Sequence, residues 1–577
     1  MLEQHDQVCV HSRPLLSSPL SLCSSLSALL SSSLSPSPLF SLLLPQAGGC
    51  THTFDEGGYE FDTGLHYVGE LLGTLLNAGC LEGGSTPESS GNGSLNAGAG
   101  TPEKGSGGGR IQWASTGRVT DEVIVGGGNK SVQMLHPKAA YIQGIKAHFP
   151  TREGPAIDAY ATKLDTSRMA ILIRIALKVA LPHSLHAALV PLVDWLLPLT
   201  STLDVLSSLT TDRKLIGLLG YVWGTFGLPP SRSPFAMTAL IQTHYFAGSY
   251  YPVGGCSQLA ARLVPTITAS GGAVLVRAPV TKLLLDGGSV TGVEVKGQHV
   301  IRAKRIVSAV GLLNTLKLLP PLDAPRLRVP PSILRDGPPL RCDNAGGDDG
   351  KIEPSNAFVY LFVGLEAKDS TLEDALMRHN LWLMPSWDHE ADSALPPSIG
   401  SAADHPLLLF ISSPSAKDPS WAQRHGRGKH VAVVLAPTRY EYWAERAEGQ
   451  RIHHRGQVYD EFKAAMKERL LAKLLEQIPA LAPHIAYSSL GTPLSNNFYL
   501  GTAWGEAYGL EHSARRFNQA SLRPKTPIPN LYLTGQDICT DGVAGAAISA
   551  FLTASTIDWK VLVQNAGTLA AVAMTAP

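Results

Sequence analysis

Apolar and polar positions along this chain fall into blocks that read as a large α/β fold. Five short apolar runs bounded by turn residues predict strands. They are Gly271-Gly-Ala-Val-Leu-Val-Arg277, Pro279-Val-Thr-Lys-Leu-Leu-Leu285, Gly292-Val-Glu-Val295, Ala303-Lys-Arg-Ile-Val-Ser-Ala309 and Pro529-Asn-Leu-Tyr-Leu-Thr-Gly-Gln-Asp537. Small and apolar residues from Gly542 to Ala550 predict a helix just after the last of them. At Thr120-Asp-Glu-Val-Ile-Val-Gly-Gly-Gly128 a strand meets three glycines, but no amphipathic helix follows. A phosphate loop needs a helix N-terminus to receive the anion, so a hairpin turn is expected there instead. Met169–Thr210 is strongly apolar yet broken by Arg174, Lys178, Pro182, His183 and Asp194. A spanning helix wants about 20 apolar residues with few charges, so two or three helices packed over an apolar pocket are expected. A membrane-surface patch that admits a lipid-soluble substrate is the second expectation, and the two can coexist.

Three segments lack such patterning. Gly83–Gly109 has the composition of a flexible Gly/Ser linker, and a polar insertion runs from about Gly337 to Asn356. Val8–Gln46 is rich in Ser, Leu and Pro with almost no charge. A plastid transit peptide shares that composition, but Glu3 and Asp6 precede the stretch. A secretory signal needs a basic start and an unbroken apolar core, and only Arg13 is basic. The favoured reading is a translated intron, because its removal joins Leu2-Glu-Gln-His-Asp-Gln7 to Ala47-Gly-Gly-Cys50 as a sensible strand and loop.

Composition narrows the function. Among 577 residues, 47 basic and 47 acidic side chains cancel, which argues against a nucleic-acid partner. Hydrophobic residues make up 44%, ample for a core. Seven scattered cysteines, odd in number and free of C-x-x-C, predict neither a disulfide framework nor a zinc site. No metal is expected.

Three distant stretches suggest one flavin site. In the first, Glu3 stands where an acidic residue would end a strand and hold a ribose; Gly48, Gly49 and Thr51 follow in the resumed loop, then Gly64 and His66 in Phe61-Asp-Thr-Gly-Leu-His-Tyr67. The glycines let backbone pass close to a bulky cofactor. In the second, Tyr251-Pro-Val-Gly-Gly-Cys-Ser-Gln-Leu-Ala260 leads to Val280 at the adenine end, and Ser308 and Ala309 return the chain beside the pyrophosphate. In the third, Gly535 and Asp537 end a strand, Asp537 accepts from ribityl or ribose hydroxyls, and Gly542, Val543 and Ala544 open a helix. That helix start offers free N–H groups and a positive dipole end to the flavin pyrimidine.

These stretches, with Ala140-Tyr-Ile-Gln-Gly144, His244-Tyr245, Pro414-Ser-Ala-Lys-Asp-Pro419 and Gly491-Thr-Pro-Leu-Ser-Asn-Asn-Phe-Tyr499, resemble the flavoprotein family of phytoene desaturases, carotenoid isomerases and retinol saturases. The resemblance runs from Ala47 to about Leu552. It implies FAD, an apolar polyene (retinoid or carotenoid) and redox or isomerising chemistry on its double bonds, with NAD(P)H as a candidate electron donor. It also implies membrane association, at the endoplasmic reticulum or the plastid. The expected fold is a Rossmann-like FAD-binding domain lacking its N-terminal strand, Gly loop and helix, with an α+β substrate domain and an apolar helical region for substrate or membrane. The expected division is 1–150, 249–315 and 501–577 for the FAD domain, 151–248 for the helical region and 316–500 for the substrate domain.

Reduction of a polyene double bond needs a hydride at one carbon and a proton at the other. An apolar tunnel must place one bond over the flavin. Candidate proton donors are His66, Tyr67, His244, Tyr245, Glu506 and Tyr508. The absent Gly loop would cost backbone N–H bonds of about 1.5–3 kcal/mol each, so weak FAD binding is expected of the chain as written. The expected activity is reduction of a retinoid or carotenoid-like polyene. A carotenoid cis–trans isomerase and an inactive polyene-binding chain are the alternatives.

Overall fold

Alternation along β15 (Ala357–Glu366; strands numbered in chain order) organises the larger of two main sheets. The computed structural model describes residues 8–11, 39–41, 47–80, 109–126, 131–329, 351–449 and 454–564. Glu3, residues 83–108 of the linker and residues 337–350 of the polar insertion lie outside them. Val359, Leu361, Val363 and Leu365 of β15 enter one core, and Phe358, Tyr360 and Phe362 enter another on the opposite face. A period of two places successive side chains on opposite faces, so a strand covered on both sides reads as a continuous apolar run. The first core is closed by a long helix, Gln457–Gln477, whose buried Tyr459, Phe462, Met466, Leu470 and Leu474 recur every three or four residues. Each such side chain, once buried, contributes about 1.5–3 kcal/mol.

The seven-stranded sheet runs β19 (Ile485–Gly491), β15, β18 (Lys429–Thr438), β17 (Leu409–Ser412), β16 (Asn380–Met384), β7 (Val119–Val125), β8 (Ser131–Leu135). β7 and β8 pair antiparallel as a hairpin, with Gly126 at positive φ just past the end of β7. β7 lies parallel to β16, with Asp121 opposite Asn380.

The second main sheet has five short strands in the order β10 (Ala273–Leu275), β2 (Leu39–Ser41), β1 (Val8–His11), β14 (Arg305–Ser308), β20 (Leu531–Leu533). β10 with β2 and β14 with β20 are parallel, but β1 is antiparallel to both of its neighbours. The sheet is therefore mixed, where a Rossmann-like parallel sheet was expected. Two pieces of the Ser/Leu/Pro stretch thus take sheet positions, which its reading as removable sequence did not anticipate. The physical reason is the backbone: β10 and β14 would otherwise present unpaired N–H and C=O groups.

Smaller units complete the frame. β3 (Thr53–Glu56) and β4 (Tyr59–Asp62) form a hairpin, and β9 (Ser249–Pro252) lies between β5 (Val68–Gly69) and β6 (Trp113–Ser115). β11 (Val280–Asp286), β12 (Ser289–Val295) and β13 (His299–Arg302) form an antiparallel ribbon. Four helices bear on the site: α1 (Gly154–Ala180), α2 (His183–Leu196), α3 (Phe235–His244) and α4 (Gly542–Ile557). The apolar stretch at 169–210 becomes the end of α1, then α2, then a helix at Thr202–Leu209. Among the described residues no helix is long and apolar enough to cross a membrane.

Candidate active site

One cavity collects nine of the residues singled out in the sequence. Gly64, His66, Tyr67, His244, Tyr245, Tyr508, Gly542, Val543 and Ala544 line it, together with Leu65, Val68, Ile241, Phe358, Trp382, Leu408, Phe410 and Leu435. It encloses about 880 Å³ of free space, part of it open to solvent. Its walls are mostly apolar and aromatic with a few convergent polar groups, which suits an apolar ligand that must be held in one orientation.

The turn after β4 places His66 and Tyr67. Asp62 ends that strand and is buried, accepting from the Tyr251 hydroxyl at 2.6 Å and the Cys256 N–H at 3.4 Å. The Asp-Thr-Gly turn is thereby tied to the Tyr251-Pro-Val-Gly-Gly-Cys256 segment. Burial raises Asp62 to about 6, against the bonds that lower it. The same segment is fixed from the other side, where both Asp418 oxygens accept from the Gly254 N–H at 3.2 Å.

His244 ends α3 and is locked to β5. The Gly69 N–H donates to its Nε2 at 2.8 Å, and a Cβ on Gly69 would stand 2.2 Å from the His244 carbonyl oxygen. An Nε2 that accepts carries no proton, so the neutral ring bears its hydrogen on Nδ1. Burial lowers His244 to about 4. His66 falls to about 3, through burial first and the Lys417 charge second. Both imidazoles are therefore neutral at pH 7, and neither His66 ring nitrogen has a hydrogen-bond partner among the described residues. The Tyr67 and Tyr245 rings stack at 4.6 Å, and burial pushes both phenols up, so they stay protonated.

The first turn of α4 also lines the cavity. Gly542 begins it with φ of 67°, a left-handed conformation that glycine adopts without strain. Its N-terminal amides and dipole point positive charge at the cavity. Asp541 just before it is buried, lacks a hydrogen-bond partner on Oδ1, and is raised by burial to about 7.

Glu506 is not with the other five proton-donor candidates. It lines a smaller cavity with Gly311, Asn314, Thr502 and Asp537. It accepts from the Trp504 N–H at 2.7 Å and is raised by burial to about 7. Asp537 accepts from the Leu312 and Leu510 N–H groups at 2.7 and 2.8 Å, so it also braces β20 against the chain after β14. Ser308 is buried and bonded to Thr315 at 2.7 Å, and Ala309 follows it out of the strand. The Gly535 N–H donates to Ser549 of α4 at 2.8 Å. Gly48 and Gly49 have positive φ, and Thr51 donates to the Gly48 carbonyl at 2.7 Å. Val280 begins β11 in a different apolar cluster.

The sequence reading missed the polar layer behind Tyr67. Asp121 Oδ2 accepts from the Tyr221 hydroxyl at 3.0 Å and the Tyr67 hydroxyl at 3.4 Å. Its Oδ1 accepts from the Asn380 amide at 3.3 Å. Lys417 donates to the Asn380 carbonyl oxygen, to Ser412 at 2.7 Å and to the His66 carbonyl at 2.9 Å. Only the Pro414–Pro419 motif hinted at it, and nothing in that motif singles out its lysine.

The groups that face the cavity fit a flavin. A helix of 16 residues presents its N-terminal amides, Asp541 keeps a buried oxygen without a hydrogen-bond partner, and apolar walls continue beyond them. Fold and site together define a flavin-containing oxidoreductase. A model of the flavin containing amine oxidoreductase family matches residues 204–333. The crystal structure of an oxidoreductase from Methanosarcina mazei superposes with a TM-score of 0.50 at 13% identity, covering 89% of this chain and 92% of that one. The all-trans-retinol 13,14-reductase of Homo sapiens is 33% identical over 541 residues, which span 89% of this chain and 80% of that protein. A Danio rerio protein named inactive all-trans-retinol 13,14-reductase is 27% identical over the same shares. This chain belongs to the all-trans-retinol 13,14-reductase family of FAD-dependent oxidoreductases acting on carbon–carbon double bonds.

Proposed function

We propose that this chain reduces one double bond of a long apolar polyene, a retinoid or a carotenoid-like molecule. The observation that carries the reading is the single cavity in which apolar and aromatic walls meet both the first turn of α4 and the phenols of Tyr67 and Tyr245. A polyene offers no charged handle, so the Trp382, Phe410, Leu435 and Ile241 walls would fix which bond lies at the polar end. FAD, once bound, supplies the hydride, and NAD(P)H is the candidate source of its electrons. In this reading the α4 amides hold the pyrimidine edge and Asp541 its polar rim. Gly48, Gly49, Thr51, Gly64 and His66 form the facing side, and Asp537, Gly535, Ser308, Ala309 and Val280 follow the rest of the cofactor. A phenol of Tyr67, Tyr245 or Tyr508 gives the proton, because both imidazoles are neutral and Glu506 lies elsewhere.

Substrate entry from a membrane surface is part of the same proposal. On α2, Leu185, Leu192, Trp195 and Leu196 are exposed, Trp195 by 78%, with Met169 of α1 also exposed. Exposed apolar side chains on one short helix suit a shallow interfacial contact.

The test is incubation of the FAD-loaded chain with a chemical reductant and either all-trans-retinol or a poly-cis carotenoid, followed by chromatography with mass detection. A product heavier by two hydrogens supports the reading. An isomer of unchanged mass assigns the chain to cis–trans isomerisation instead, and unchanged substrate with bound flavin contradicts both.

A further inference from the structure

The buried charge behind Tyr67 has no structural partner of the usual kind. Lys417 is buried, and its three hydrogen bonds go to neutral acceptors, the Asn380 amide oxygen, the Ser412 hydroxyl and the His66 carbonyl. An ion taken out of water is ordinarily paired, because the penalty for leaving it unpaired is several kcal/mol. Asp121 lies one residue away in this network, joined to Lys417 through Asn380 rather than by contact. The Lys417 ammonium also stands 5.8 Å from the centre of the Tyr67 ring, within reach of a cation–π interaction.

Resting on the reading of this cavity as a polyene-reducing site, we propose that Lys417 is a positioning residue of the reaction. It sets the protonation of Asp121, which in turn replenishes the proton that Tyr67 gives to the substrate. Tyr67 lines the cavity, and its hydroxyl reaches Asp121 Oδ2 at 3.4 Å.

The step balances as follows. One carbon of the double bond takes the Tyr67 O–H proton, and its neighbour takes the hydride that a reduced flavin supplies. The Tyr67 oxygen then recovers a proton from Asp121. For this, Asp121 must carry the proton on Oδ2 and donate to the Tyr67 oxygen, the reverse of the contact in which the Tyr67 hydroxyl donates to it at 3.4 Å. The charge left in the wall is an Asp121 carboxylate facing the Lys417 ammonium across Asn380, and solvent restores the Asp121 proton between turnovers. Burial pushes the Asp121 carboxyl up, while its hydrogen bonds and the Lys417 ammonium act in the opposite direction.

Lys417 itself is lowered to about 7 by burial, against Asp121 on β7, Asp62 at the end of β4 and the Cys256 thiol. His66 feels its charge from the cavity side. Asp121 is faced by Tyr67, Tyr221 and Tyr245 and by the Asn380 and Trp382 side chains.

The full FAD-loaded chain is compared with Lys417→Met, Lys417→Arg and Tyr67→Phe by the pH profile of polyene reduction and by melting temperature from pH 6 to 10. Lys417→Met and Tyr67→Phe are expected to slow turnover by about 100-fold. In Lys417→Met the fall of rate with rising pH moves to higher pH, because Asp121 without its ammonium holds its proton longer. Lys417→Arg, which keeps the charge, retains most of the rate. A lysine whose folded value is depressed binds fewer protons folded than unfolded above about pH 7, so the parent chain gains stability as pH rises from there. Lys417→Met lacks that gain, a readout independent of turnover. If Lys417→Met does not fold, retained rate in Lys417→Arg with the loss in Tyr67→Phe still supports the proposal, and a rate in Tyr67→Phe equal to the parent overturns it. Lys417→Met with the parent's rate and pH profile overturns the proposal and leaves the reductase reading intact. A parent that reduces no polyene overturns both.

Discussion

The cavity wall that carries Asp541 and the first turn of α4 comes from one continuous stretch, 529–557, in which a short strand, a loop and a helix follow one another. On the Tyr67 side, residues 64–67 line the cavity, and the polar layer behind them is drawn from residues 121, 221, 380 and 412–417 on separate elements. The first wall presents backbone amides and needs only a helix start, which small residues and a glycine with positive φ provide locally. The second needs a buried carboxyl and a buried amine held apart by an amide and hydroxyls, and the pairings of β7 with β16 and of β16 with β17 bring them together. In the proposed reading the helix-start contact is built from local geometry, and the proton relay from tertiary geometry.

Changes in the two walls should therefore fail differently. The largest expected effect is in the contiguous wall. A Cβ at Gly545 would stand 1.9 Å from the Thr540 carbonyl oxygen, so Gly545→Leu forces α4 away from the loop before it. Overpacking of this kind costs about 3 kcal/mol, and thermal melting should show it together with loss of bound flavin.

His66→Leu sharpens the contrast. The ring is buried with both nitrogens unpartnered, so replacing it should raise stability by about 1 kcal/mol. Turnover should nonetheless fall by about tenfold or more, if His66 meets the cofactor as proposed. A variant both less stable and fully active would remove His66 from the site.

Asp541→Asn probes the charge beside the helix start. Its folded value is raised, so the folded state binds more protons than the unfolded state between about pH 4 and 7. Ionising it costs stability as pH rises through that window. The asparagine variant escapes this cost, and its advantage over the parent should grow from pH 5 to pH 8 to on the order of 2 kcal/mol. Parallel stability curves would show that Asp541 does not titrate there.

The smallest effect on stability belongs to the surface of α2. Trp195→Ser with Leu192→Ser should leave melting within about 0.5 kcal/mol of the parent, while reducing flotation with liposomes. Equal flotation would remove α2 from the membrane contact.

Much of the fold was legible because its signals are local. Turn-bounded apolar runs predicted β10, β14 and β20, the hairpin at 126 followed from the missing amphipathic helix, and Met169–Thr210 breaks into helices at Leu181-Pro182 and at 197–201. The places of Val8–His11 and Leu39–Ser41 in the five-stranded sheet were not legible. Their composition carries no strand period, and open sheet edges draw in whatever backbone lies near. Of the candidate proton donors, His66, Tyr67, His244, Tyr245 and Tyr508 line one cavity. Glu506 does not join them: one residue, Ala507, separates it from Tyr508 along the chain, yet the two line different cavities. Asp121 and Lys417 escaped notice because each is an ordinary charged residue in its own stretch and becomes unusual only when buried near the other.

The most direct test is an anaerobic single turnover. The FAD-loaded chain, reduced beforehand with dithionite, is mixed with all-trans-retinol while flavin and polyene absorbance are followed together. The account predicts that flavin reoxidation and loss of the polyene band share one rate, leaving a product heavier by two hydrogens. A flavin that stays reduced while the polyene is unchanged, or is merely isomerised, would contradict it.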